Sequence, residues 1–333
     1  ILRPKEGKNA ELLATFLRGK YGQAQITRFT RGAVQKGLIL EDMDQLVVPV
    51  FGDGIVEAIR NAIQSAYQIQ EKANNCYREA QRTLVNSVGS ISVPAESVSV
   101  RNISTSFYTT GRLDAEYYQP KYDALFTALS TIKTKKLGGA HGIVNIEKSI
   151  EPGSEVYVED GIPFVRVSDV SKFEISEPEV KLRNDILPNP EVLFPQKDTI
   201  LLSKDGSVGI AYKTESTMPV ITSGALLHLT VRNKAEVLPD YLTLVLNSPI
   251  VQLQAERDSN GAIIQHWKPS EIENVIIPVL DMDIQKEIAT KVQESFALRK
   301  QSKQLLEYAK HAVEMAIEQG EDVAMEWLKD KVN

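Results

Sequence analysis

Cysteine is all but missing from this chain. Cys76 is the only one. A single thiol excludes an intramolecular disulfide and any zinc site built on a cysteine cluster. Histidine is scarce too, with four scattered residues, which argues against a histidine-based metal centre. No apolar run is long. The longest, Leu46–Phe51 and Val275–Leu280, fall far short of the ~20 residues a membrane helix needs. The opening Ile1-Leu2-Arg3-Pro4-Lys5 lacks the pattern of a signal peptide. These absences predict a soluble cytoplasmic protein without a membrane partner. Catalytic signatures are missing as well. There is no Walker-type phosphate loop and no Asn/Asp-Pro-Pro-aromatic segment of an amino-methyltransferase. His141 and His228 have no companions at metal or triad spacing. Glu179-Val180-Lys181 with Asp169 upstream has the residue types of a nuclease metal site, but that spacing is common by chance. No catalytic residue, cofactor or metal is expected.

What remains is ordinary globular composition: 333 residues, 25% charged and 42% hydrophobic, enough for two or three domains. The net charge of −6 hides a gradient. Residues 1–37 carry eight Lys/Arg against two acidic residues, while residues 281–333 carry eight against eleven. A locally basic region can bind polyanions although the whole chain is acidic.

The chain also repeats itself. At an offset of 229 residues Leu13 falls on Leu242, Leu17 on Leu246, Gln25 on Gln254 and Arg28 on Arg257. Gly32-Ala33 falls on Gly261-Ala262, Pro49-Val50 on Pro278-Val279, Ile55 on Ile284, Ile59 on Ile288 and Ala80 on Ala309. No gap is needed over about ninety residues. A period this long indicates a duplicated domain rather than a solenoid. The second copy opens near Gly111-Arg112, so the first is expected to begin mid-domain, without its first half.

Each copy closes on a long helical pattern. One seam runs Ile55, Ile59, Ile63, Ala66, Ile69, Ala73, Cys76, Ala80, Thr83, Ser87. The other runs Ile284, Ile288, Val292, Ser295, Leu298, Ser302, Leu305, Ala309, Ala312, Ala316. Steps of three and four with charged flanks and no internal Pro make a heptad-like stripe. Over thirty residues each, the helices are roughly 50 Å long. Seams so rich in Ala and Ser favour close approach, and each helix is the natural partner of the other. Cys76 then reads as a small seam residue, not a nucleophile.

Between them, residues 112–280 read as β-rich. Ile162–Val167, Thr199–Leu202, Gly209–Lys213, Ala225–Val231 and Val275–Ile277 are predicted strands; Tyr118–Thr131 and Pro239–Asp258 are predicted helices. The expected class is α+β: β-rich domains joined to long helices that pair as an antiparallel coiled coil. The expected divisions are 1–51 (distal half of a first domain), 52–90 (first long helix), 91–111 (linker), 112–280 (second domain), 281–318 (second long helix) and 319–333 (C-terminal tail).

Two loops carry chemistry suited to DNA. Leu202-Ser203-Lys204-Asp205-Gly206-Ser207-Val208-Gly209 joins two strands, and its glycines permit positive φ and close approach of a ligand. Lys204 and Ser207 suit phosphate or base contact. The segment Arg257 through Lys268 couples Asn260, Gln265 and His266 with a Gly turn, and the first copy repeats it with Arg28, Arg31, Gln35 and Lys36. Asn and Gln match adenine, Arg and Lys match guanine, and cations neutralise phosphate. Arg166 is expected on the same face. A structural turn shared by both copies would account for the Gly-Ala alone.

Several stretches resemble one family. Gly111-Arg112-Leu113-Asp114-Ala115-Glu116-Tyr117-Tyr118-Gln119-Pro120-Lys121-Tyr122 is similar to the start of a target recognition domain in type I restriction-modification specificity subunits. Asp160 through Asp169, Ile200 through Gly206, and Gly261 through Glu287 resemble the same family in the same order. Gly52-Asp53-Gly54 departs from it, standing where the family has a short Pro/Glu/Gln segment. The resemblance implies a non-catalytic subunit whose two recognition domains read the halves of a split double-stranded DNA site, spaced by the paired helices. It also implies methyltransferase subunits and restriction/translocase subunits as partners. Two other readings stay open: the C-terminal specificity region of a single-chain restriction-methyltransferase, and a coiled-coil assembly protein that binds no DNA.

Overall fold

The computed structural model describes residues 4, 9–32, 37–89, 98–259, 261 and 265–332. Helices α1 (Ala10–Arg18), α2 (Lys20–Phe29) and α3 (Leu40–Met43) lead into the long α4 (Asp53–Val88). Short helices α5 (Phe107–Thr110) and α6 (Pro120–Leu129) precede strands β1 (Thr134–Lys136), β2 (Val144–Lys148), β3 (Tyr157–Val158), β4 (Ile162–Val165) and β5 (Lys181–Leu182). Strands β6 (Ile200–Ser203), β7 (Ala211–Lys213), β8 (Ile221–Thr222) and β9 (Leu226–Val231) follow. The chain ends with α7 (Pro239–Leu246), α8 (Pro249–Asp258), α9 (Pro269–Glu273), β10 (Ile276–Pro278), the long α10 (Met282–Gln319) and α11 (Glu321–Val332). The class is α+β, and the residues form two compact units: 1–76 with 294–333, and 77–293.

The duplication is visible in the elements. The first residues of α7, α8, α9 and α10 each lie 229 positions after those of α1, α2, α3 and α4. Gly32 and Gly261, matched in that register, both have positive φ, at 111° and 130°. The glycine is therefore a backbone requirement in both copies.

In the first unit α4 and α10 run antiparallel. Ser302 Oγ donates to the Ala66 carbonyl at 2.8 Å and Ser295 Oγ to the Ala73 carbonyl at 2.7 Å, all four residues buried. Rising numbers on one helix meet falling numbers on the other. Alanines opposite the serines let the backbones come close enough for a hydroxyl to reach a main-chain oxygen. Ile55, Ile59, Ala62 and Ile63 pack with Ala309, Ala312, Val313, Met315 and Ala316, and Phe16 of α1 joins them. Leu305 is buried on the same helix.

Residues 319–333, expected as a tail, are mostly helix. Gly320, at φ 100°, ends α10, and α11 buries Ala324 and Leu328 in the same core. Both carboxylate oxygens of Glu321 accept from the Gly52 N–H, at 3.0 and 3.1 Å, at the start of α4. A Cβ on Gly52 would lie 2.9 Å from Glu321 Oε2, and one on Gly54 3.3 Å from Met325 Sδ. The Gly-Asp-Gly departure thus makes room for α11, whose carboxylate complements the positive end of α4.

The second unit holds the remainder of both long helices. Lys291 bonds Glu79 at 2.6 Å and Thr83 bonds Glu287 at 3.1 Å, again antiparallel. Ile288 and Val292 are buried, and Ile284 is half-buried. The α4 seam differs from expectation beyond Ala73. Tyr77, Ala80, Leu84 and Val88 are buried there, while Cys76, Thr83 and Ser87 are half-buried. A straight helix drifts relative to a strict seven-residue repeat, so the buried stripe moves over by one residue.

The body of this unit has two four-stranded sheets, ordered β2-β9-β6-β7 and β3-β5-β4-β8, and the pair β1-β10. All pairings are antiparallel except β4 with β8. Every residue of α7 is buried. Helices α6 to α9 each begin on a proline, which fits the first helical position. Pro249 is why Pro239–Asp258 is two helices rather than the single one expected: it forces Ser248 into an extended conformation. Strand β4 likewise stops at Val165, short of Val167, where a tight 3-10 turn follows. Among the described residues, no helix is long and apolar enough to cross a membrane.

Candidate nucleic-acid interface

The loop after β6 and the segment before α9 come together in the second unit. Asp205 and His266 form an isolated antiparallel bridge. The Gly206 N–H donates to the Gln265 carbonyl at 2.9 Å, and the Trp267 N–H to the Lys204 carbonyl at 2.8 Å. Trp267 is 1% exposed and anchors the segment from below. Inside the loop Ser203 Oγ donates to the Ser207 carbonyl at 2.5 Å and accepts from the Ile210 N–H at 2.9 Å. Ser203 is thereby spent on shaping the turn.

Gly206 has φ 72° with open space around it, as a residue at the turn's tip should. Gly209 has φ 86°, but its close neighbour belongs to the protein: a Cβ there would lie 2.8 Å from Gln252 Nε2. Gln252 donates to the Gly209 carbonyl at 2.7 Å. That close approach serves packing.

Ser207, Gln265, His266 and Lys268 are exposed around this junction. The Lys268 N–H donates to Glu271 Oε2 at 3.0 Å, while its ammonium stays 3.9 Å from that carboxylate. Lys204 is mostly buried and ion-paired with Asp205. Asp205 Oδ1 also lies 2.8 Å from His266 Nδ1. Burial opposes ionisation of Asp205, but hydrogen bonds from Lys204 and His266 outweigh it and hold the carboxyl below its ordinary value.

The other candidates are placed differently. Arg257 chelates Asp258 at 2.7 and 3.1 Å, and its guanidinium lies over the rings of Phe126 and Tyr117 at 4.5 and 5.0 Å. Arg112 covers the same Tyr117 ring at 4.5 Å and is ion-paired with Asp114. This cluster ties the start of the domain to the end of α8, so Arg257 is committed to packing. Arg166 is half exposed, with its Nε 3.7 Å from Asp169 Oδ2. In the first unit Arg28 is exposed on the last turn of α2, and Arg31 pairs with the buried Asp42 at 2.8 Å. Gln35, Lys36 and Asn260 lie outside the described residues.

Sequence reasoning missed Asp205 as the residue that holds His266. It also missed the buried Lys213, which is 2.9 Å from Glu215, 3.4 Å from Asp240 and 3.5 Å from Asp198. The aromatic-arginine cluster had a signal, since Gly111 through Tyr122 was singled out as a motif. Among the described residues no group of three or more His, Cys, Asp or Glu is placed to hold a metal ion.

With this geometry in view, the class follows from comparison with known families. Residues 130–308, more than half of the chain, match the family model of the type I restriction modification DNA specificity domain. The chain belongs to that family. Among solved structures it is similar to the Type-I restriction-modification system S subunit from M. genitalium, at 15% identity and a TM-score of 0.44, covering 96% of this chain and 72% of that one. It is also similar to the HsdS subunit from Thermoanaerobacter tengcongensis, at 14% identity and a TM-score of 0.38, covering 94% of this chain and 71% of that one. No curated protein matches.

Proposed function

We propose that this chain reads double-stranded DNA as the specificity subunit of a type I restriction-modification complex. It does no chemistry itself. In this reading residues 112–280 form one recognition domain and read one half of a split site, and residues 1–51 are the distal half of another. The antiparallel helices space the two halves and offer surfaces to methyltransferase subunits and to restriction/translocase subunits in the cytoplasm. The observation that carries the reading is the junction of the Ser203–Gly209 loop with Gln265–Lys268, inside the matched family domain. It presents an amide, an imidazole, a hydroxyl and an ammonium on one small surface, the mixture that base edges and phosphates require.

Lys268 and Gln265 are assigned different roles. Lys268, with an exposed ammonium 3.9 Å from Glu271, holds phosphate; Gln265 reads a base. Lys268→Ala should weaken binding to all duplexes and lower the salt slope of log affinity by about one. Gln265→Ala should relax discrimination at one base pair at a cost of ~1–3 kcal/mol. Titrations of a duplex and its single-base variants between about 50 and 200 mM salt separate the two. If neither change moves affinity, slope or discrimination, the junction is a structural turn.

A further inference from the structure

The DNA-reading proposal is the premise here, and the Asp205–His266 pair deepens it. The Asp205 carboxylate is ionised and can only accept, so His266 Nδ1, 2.8 Å from Oδ1, carries the proton. With Nδ1 donating to Asp205, the acceptor end of the ring is Nε2. The His266 side chain is 61% exposed, while Asp205 behind it is 22% exposed. The contact therefore fixes which end of the imidazole meets a ligand and what that end can do: accept. In the major groove only adenine N6 and cytosine N4 offer a donor. Guanine offers acceptors, and thymine an acceptor and a methyl group.

We propose that His266, its tautomer set by Asp205, is a specificity-determining residue that accepts a hydrogen bond from the exocyclic amine of one adenine or cytosine in the target. The charged groups on the elements meeting here are Lys204 and Asp205 on the loop and Lys268 and Glu271 at the start of α9. Trp267, next to His266 in sequence, is buried.

The test uses the chain assembled with its methyltransferase subunits and a randomised duplex pool. Selection should yield one position restricted to adenine or cytosine that His266→Ala leaves unrestricted. Replacing that base by its analogue lacking the amine should weaken the wild type about five- to a hundred-fold and leave His266→Ala unaffected. Asp205→Asn, which can donate to Nδ1 and so release the tautomer, should broaden the same position while keeping the salt slope. Identical base preferences for wild type and both variants overturn the inference and leave DNA reading intact. Failure of the wild-type complex to retain any duplex overturns DNA reading and this inference with it.

Discussion

A histidine's charge depends on what surrounds it, and two histidines of the second unit show the contrast. His266 is exposed and faces a carboxylate. His228, in the middle of β9, is packed between sheets with Nε2 2.8 Å from Thr222 Oγ1, and burial pushes its pKa down to about 4. The folded value lies below the unfolded one, so the unfolded chain binds the extra proton between them. Stability from this residue is full above about pH 6.5 and is lost as pH falls toward about 4, a loss of order 3 kcal/mol. Urea unfolding of wild type and His228→Gln across that range should show the variant's pH slope reduced by about one proton. An unchanged slope would mean that His228 is already charged in the fold. At this scale the sequence is legible in part. Gln265, His266 and Lys268 stand out by type, because the base and phosphate contacts proposed for them draw on few side chains. The Asp205–His266 contact spans sixty-one positions and leaves no local trace, and neither does the diversion of Arg257 onto Phe126.

Elements obey local rules and were easier to read. The paired helix starts lie 229 residues apart, although only in the second copy do three of them, α7, α8 and α9, fall on proline. The failures have specific causes. Pro249 was passed over within an apolar run that continues on both sides of it. Helix α11 was missed because Gly320 interrupts the stripe, although Ala324 and Leu328, four apart, keep a helical spacing. The seam passes through Tyr77, which is buried, rather than through Cys76, which is half-buried. The tyrosine ring meets Phe173 edge-on at 4.9 Å, with Lys172 over it at 5.4 Å, so the body's own loop rests on that position of the helix. The antiparallel pair makes a direct prediction. Ile288 has no exposed surface, and Ile288→Asp puts an unpaired charge into the seam at a cost of several kcal/mol. Thermal melts should show a drop of several degrees or more. A charge tolerated there would mean that the helices separate in solution.

At the scale of the whole molecule, charge and duplication work together. A chain of net charge −6 has no general positive field to hold DNA, so under the proposed function affinity would come from a few placed contacts and from the proposed partner subunits. In the proposed bipartite reading, two weak readers on one chain gain through effective concentration what each lacks alone. The proposed division of labour has a consequence that no single loop could produce. Purified alone with S-adenosylmethionine, the chain should transfer no methyl groups; with its methyltransferase subunits it should direct methylation to a motif of two short blocks separated by unspecified bases. Sequencing modified bases in DNA treated with that complex reads the motif directly. Gln265→Ala, confined to the second copy, should relax one block and leave the other block and the gap between them unchanged. Relaxation of both blocks would mean that one domain reads the entire target. A motif without a gap would mean that the helices do not act as spacers.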